Sequence, residues 1–222
     1  LGAQNIKNLG NLKFTNLKNN FQDSSELNLI KKTENRKIWC AASTHPSEEI
    51  FCAQTHIELK KTYKNILTII IPRHINRVKK INSELSRLNL KIVFYSDLEK
   101  IKNDTDILLI NSYGEALKFF KITNCVFLGG SLIAHGGQNP IEPSRLGCKI
   151  FHGPNVNNFT EIYNYLKTLG VTNEVNSPVE LNQSLVAELG SDRVNNNEIV
   201  EKIENYGENI LNNVIKELKK YI

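Results

Sequence analysis

The sequence predicts an α/β domain, a Rossmann-like parallel sheet with helices on both faces. Three observations lead there. Apolar runs of strand length recur along the chain, among them Ile66 to Ile71 and Cys125 to Leu128. Stretches of helical spacing separate them, and strands buried on both faces with helical crossovers are how parallel sheets are built. Polar and glycine residues gather just after the apolar runs, at the strand ends where open parallel sheets take ligands.

The elements follow in order. Leu1 to Asn35 is polar and turn-rich and reads as a linker or the tail of a further domain. Ile38 to Ala42 is a strand and Pro46 to Tyr63 a helix. Ile66 to Ile71 is a β-branched strand closed by Pro72, and His74 to Leu88 is a helix. Lys91 to Tyr95 and Asp106 to Ile110 are strands, and Glu115 to Phe120 is a helix. Cys125 to Leu128 is a strand, Pro140 to Leu146 a helix, and Lys149 to Phe151 a strand. Phe159 to Leu169 is a helix, Val171 to Val175 a short strand, and Val179 to Leu189 a helix. In the last segment Ile199, Ile203, Tyr206, Ile210, Val214 and Leu218 recur at helical spacing, and Gly207 marks a break into two helices. The expected division is residues 1–35 as linker, 36–195 as the Rossmann-like domain and 196–222 as an amphipathic helical segment.

Composition narrows the partners. The 222 residues are 40% hydrophobic, enough for a real core, and carry a formal charge of +5. That balance suits phosphate-bearing ligands or an anionic membrane surface and is too mild for nucleic acid. Cys40, Cys52, Cys125 and Cys148 form no C-x-x-C pair and read as reduced core residues. The longest apolar run falls far short of the roughly 20 residues of a membrane span. The chain begins at Leu1 and contains no Met, so it reads as a piece of a longer protein.

Gly129 to Pro143, GGSLIAHGGQNPIEP, is the richest stretch. It follows a buried strand, holds four glycines and ends in helix-start signals. Glycine lets backbone approach a ligand closely, and helix N-termini favour anions. Arg73 follows another buried strand, where its guanidinium either grips a phosphate in two places or pairs with a helix acid. His74 either donates to a ligand or caps the next helix. Ser112-x-x-Glu115 and Asn139-x-x-Glu142 both match the capping box, in which two residues three apart exchange bonds with backbone. Both carboxylates also suit ribose hydroxyls or a base amino group. Ser43, Thr44 and Ser131 offer hydroxyls to a ligand or to a turn, and His135 sits in the loop with the same two readings. No nucleophile triad, metal cluster or Walker motif is present.

Taken together, these motifs resemble the 3-deoxy-D-manno-octulosonic acid (Kdo) transferase family. The carriers are Ala41 to Glu49, Ile71 to His74, Tyr113 to Glu115, and Gly129 through Pro143, with Phe151-His152-Gly153-Pro154 continuing the match. Gly10 to Phe14 looks like the segment joining that family's two domains. The resemblance implies the C-terminal half of a GT-B glycosyltransferase that takes CMP-Kdo as donor and lipid A precursor as acceptor. That reaction belongs to lipopolysaccharide biosynthesis, at the cytoplasmic face of the bacterial inner membrane. The implied CMP-binding residues are Pro72, Arg73, Gly114, Glu115, Ala116, Asn139, Pro140, Ile141 and Glu142. Ser43, Thr44, His74, Gly130, Ser131, His135 and Gly137 are candidate contacts to sugar or phosphate.

No metal is implied. The family's catalytic base is a Glu of the N-terminal domain, so this chain holds no catalytic residue. It is expected to be soluble by itself, to bind nucleotide without turnover, and to meet the membrane only through the full-length protein. The chain departs from the family at Ser47, where Gly is usual, at Asn111-Ser112-Tyr113, at Ala116 and at Gln138. A transferase using a UDP- or GDP-sugar and a non-catalytic interaction module are the competing readings.

Overall fold

The computed structural model describes residues 6–15, 24–190 and 196–221. Seven strands form one sheet: β1 (Ile38–Thr44), β2 (Leu67–Pro72), β3 (Ile92–Phe94), β4 (Ile107–Leu109), β5 (Cys125–Leu128), β6 (Lys149–His152) and β7 (Thr172–Glu174). Their order is β3-β4-β2-β1-β5-β6-β7 and every pair is parallel. The sheet grows outward from β1 through β2, then returns to β1's other side with β5. That reversal opens a crevice at the carboxyl ends of β1 and β5, the place where such sheets hold ligands.

Alternation along the strands divides the core. Cys40 and Ala42 of β1, Ile69 of β2 and Val126 and Leu128 of β5 face one layer. Trp39 and Ala41, Ile70, and Cys125 and Phe127 face the other. The second layer holds α2 (Glu48–Thr62), α3 (Val78–Ser86) and α7 (Pro178–Gly190). The first holds α1 (Ser24–Thr33), α4 (Ala116–Ile122), α5 (Ile141–Arg145), α6 (Thr160–Thr168) and α8 (Asn197–Leu218). Each fully buried Leu, Ile or Phe contributes roughly 1.5–3 kcal/mol through its removal from water. All four cysteines lie buried and outside any disulfide, as expected, and burial pushes Cys40 and Cys52 well above the ordinary thiol range.

Three expectations change. Part of the stretch read as linker folds: Ser24–Thr33 is a helix that buries Leu29 and Thr33. The helix expected from His74 begins as a 3₁₀ turn over Ile75–Arg77, and His74 supplies no side-chain cap. Gly207 does not break the last segment, which is one helix of 22 residues. Its missing side chain instead lets another backbone in, since a Cβ there would lie 2.2 Å from the Phe14 carbonyl oxygen. Phe14 is fully buried and meets Tyr165 and Tyr206 edge-on at 5.7 and 4.8 Å. The expected boundary near residue 195 lies outside the described residues.

Candidate functional site

The polar loops after β1, β2, β4, β5 and β6 emerge at one edge of the sheet, because every strand runs the same way. Their centre is a residue to which sequence reasoning gave no role. Glu48, in the first turn of α2, is fully buried. Its carboxylate accepts four backbone N–H groups: His45 at 2.8 Å, Gly130 at 2.7 Å, and Ser131 and Leu132 at 3.0 Å. A buried carboxylate is tolerable when donors surround it in this way. Glu48 therefore ties the glycine-rich loop after β5 to the end of β1. Gly129 makes the approach possible, since a Cβ there would lie 2.5 Å from the Ser43 carbonyl oxygen. The N–H groups of Gly130 and Ser131, expected to face a ligand, hold Glu48 instead.

Glu49 anchors the neighbouring loop. It is buried, accepts the Thr44 hydroxyl at 3.0 Å, and takes Arg77 in two places at 2.9 and 3.0 Å. Thr44 is thereby committed within the protein. Two consecutive acids at a helix start are what the helix dipole favours anyway, so nothing in the sequence marked them as hubs. Ser43 stands at a bulge between β1 and β2, with φ 55° and a partly exposed side chain. Arg73 follows the buried Pro72, and its N–H donates to the Thr44 carbonyl at 3.0 Å. That bond fixes the backbone while the side chain stays exposed, with no acidic partner among the described residues. His74 is exposed beside it.

Ser131 is fully buried and doubly engaged, donating to the Leu128 carbonyl at 2.6 Å and accepting the Gly153 N–H at 2.8 Å. Gly137 donates to the Gly130 carbonyl at 2.9 Å and closes the loop on itself. His135 is exposed, and its ring centre lies 4.3 Å from that of His45. Asn139 performs half of the expected cap, accepting the Ile141 N–H at 3.1 Å. Pro140 occupies the N-cap position and is buried with Ile141. Glu142 is exposed and, among the described residues, makes no return bond.

The box at Ser112 fails differently. The helix starts one residue late, so Glu115 is itself the N-cap and makes no cap bond. Its Oε2 lies 2.9 Å from Lys118 Nζ, an ion pair outside hydrogen-bond alignment. The Ser112 hydroxyl is buried without a partner among the described residues. Gly114 is exposed at φ 83°, and Tyr113 beside it is 65% exposed. Ala116 opens α4, partly buried. Among the described residues no group of three or more His, Cys, Asp or Glu has metal-binding geometry.

No family model matches the chain. A 3-deoxy-D-manno-octulosonic acid transferase of Haemophilus influenzae is 32% identical over 178 residues, 80% of this chain and 41% of that protein. One from Rickettsia prowazekii is 30% identical over 224 residues, all of this chain and 47% of the relative. Both of these relatives are Kdo transferases. It spans about half the length of the curated transferases it matches. In fold it is similar to the crystal structure of the C-terminal CMP-Kdo binding domain of WaaA from Acinetobacter baumannii. The TM-score is 0.70 at 24% identity, over 84% of this chain and 95% of that one. The expected resemblance to the transferases is thus confirmed, and so is the Rossmann-like fold of their C-terminal half. No helix among the described residues is long and apolar enough to cross a membrane.

Proposed function

We propose that this chain is the donor-binding half of a Kdo transferase and holds CMP-Kdo at the carboxyl edge of its sheet. The observation that carries the reading is Arg73. It is an exposed guanidinium on a fixed backbone, beside the topological switch, with no acidic partner among the described residues. Pro72 and Arg73, Gly114 to Ala116, and Asn139 to Glu142 stand at strand ends, loops and helix starts of that same edge and form the nucleotide's walls. Glu142 and Glu115 face the nucleoside's hydroxyl or amino groups. Thr44 and Ser131 serve as scaffold, since their hydroxyls are taken.

In the reaction the bond between the Kdo anomeric carbon and the phosphate oxygen breaks. The electron pair stays on the phosphate, and the acceptor hydroxyl attacks the oxocarbenium-like sugar. Arg73 stabilises the charge that develops on the leaving phosphate. Losing one such fixed donor typically costs about 3 kcal/mol of transition-state stabilisation. The N–H of Ile141 already serves Asn139, and Pro140 has none, so the α5 start offers less than its position suggests. No metal has a step in this scheme. The acceptor proton leaves to a carboxylate of another domain, so the chain alone binds donor without transferring sugar. In the whole protein the acceptor is a lipid A precursor at the cytoplasmic face of the inner membrane, and the pathway is lipopolysaccharide assembly.

Calorimetric titration tests the reading. CMP should bind in preference to UDP and GDP, and Arg73→Ala should weaken CMP about ten- to hundredfold, the range for a lost bond to a charged group. Equal binding of the three nucleotides removes the cytidine specificity. No binding of any of them overturns the proposal.

A further inference from the structure

The crevice between β1 and β5 holds a second, unclaimed donor. His45, at the end of β1, is only 6% exposed. Its backbone N–H is fixed by Glu48 at 2.8 Å, so the residue cannot drift from the switch point. Its Nε2 is buried and has no hydrogen-bond partner among the described residues. A buried ring nitrogen left unpaired is costly, and in a folded site it points to a partner that arrives later. Two further imidazoles enclose it. The His135 ring lies 4.3 Å away, tilted by 40°, and the His74 ring 5.9 Å away, edge-on. Gly130 leaves the room for them: a Cβ there would lie 3.0 Å from His135 Cδ2 and 3.3 Å from His45 Cδ2.

The charges around this ring have one sign. Burial and then His135, His74, Arg77 and Arg73 hold His45 down to a pKa of about 4, so it is neutral at physiological pH. The two nearby acids cannot balance that field outward. Glu48 is saturated by N–H groups, and Glu49 by Thr44 and Arg77. The three histidines lack the geometry of a metal site. What the pocket lacks is an acceptor carrying negative charge.

We propose that His45 is an anion-binding residue, donating from Nε2 to an oxyanion seated between His74, His135 and Arg73. The chemistry is that of a phosphate or a sugar carboxylate, and an anionic sugar nucleotide carries both. The inference deepens the donor-binding reading and rests on it for the identity of the ligand. Ser131 and Thr44 then act as scaffold, and His45 as the contact.

The test uses the 222-residue chain and imidazole nitrogen NMR, with His45→Phe and His45→Gln as variants. Titrating inorganic phosphate, CMP and free Kdo should shift the His45 Nε2 resonance with at least one of them. His45→Phe keeps an aromatic ring and should weaken that same ligand about ten- to hundredfold. His45→Gln restores a donor and should recover part of the loss. Cytidine, which has no anion, should bind both variants like the parent. Loss confined to CMP and phosphate assigns the leaving group, and loss confined to Kdo assigns the sugar carboxylate. If CMP binds and no anion senses His45, the anion site falls while the nucleotide reading stands. If phosphate moves His45 but no nucleotide binds, the nucleotide reading falls and the anion site stands.

Discussion

Ser47 carries a left-handed backbone, with φ 78°, at the N-cap of α2. A side chain there crowds the following carbonyl and costs roughly 1–2 kcal/mol, a strain that glycine avoids. The position is the one where the resembling family usually has Gly, so a departure visible in the sequence acquires a physical price. Ser47→Gly should raise stability by about 1 kcal/mol and Tm by about 2–4 °C, read by thermal unfolding with CMP affinity unchanged. An unchanged or lower Tm would show that the strain is relieved elsewhere. The cap at Asn139 was legible in the sequence, as was the place of Arg73 just past a buried strand. Glu48 was not: an acid in the first helical turn is so common that the sequence cannot separate a dipole match from a four-fold hydrogen-bond hub. Ser131 and Thr44 show the converse, since a hydroxyl at a strand end looks available until its partners are known.

Elements were easier to read than their ends. Runs such as Ile66 to Ile71 and Cys125 to Leu128 can only be buried strands when helical spacing surrounds them, and each is found. Helix α1 was hidden because its apolar residues are few and Asn and Lys dominate its surroundings. Gly207 was misread because an isolated glycine in a helical pattern usually weakens the helix. Here it makes way for a chain crossing over α8. Arg145 Nη2 donates to the same Phe14 carbonyl and fastens the crossing. Gly207→Ala should force the Leu12–Phe14 turn away and destabilise the domain by about 1–3 kcal/mol, the usual cost of overpacking. Urea denaturation measures it, and loss of near-ultraviolet signal from Tyr165 and Tyr206 locates it. A variant as stable as the parent would mean that the crossing contributes little.

At the scale of the whole molecule, acid should unfold the domain in two stages. Burial and cationic neighbours keep His45 neutral down to about pH 4 in the fold, whereas an unfolded histidine takes its proton near 6.5. The unfolded state therefore binds more protons between those values, and stability falls as the pH falls through that window. At the opposite end of the sheet, burial alone would raise the Asp106 carboxyl. Bonds from His56, Lys60 and the Lys91 N–H outweigh it and hold Asp106 well below the usual carboxylate range. Its contribution is complete at neutral pH and drains away below about pH 4. Denaturation curves at pH 7, 5 and 3 should lose the first stage in His45→Phe and the second in Asp106→Asn. A stage that survives its variant belongs to another group. The parallel topology was implied by alternating strands and helices, but the order that puts β1 beside β5 required the fold, and with it the meeting of His45, His74 and His135.

The carboxylate of Glu48 sits where a phosphate-binding loop would ordinarily keep its N–H groups vacant for a guest. The loop consequently has a resident anion and needs no visitor to set its shape. Its ordering entropy is settled during folding, when the chain condenses, and not at each encounter with ligand. Association should therefore be limited by diffusion and steering toward Arg73 and not by loop rearrangement. Stopped-flow rates for CMP should rise linearly with concentration, without the plateau of a slow conformational step, and should fall with added salt.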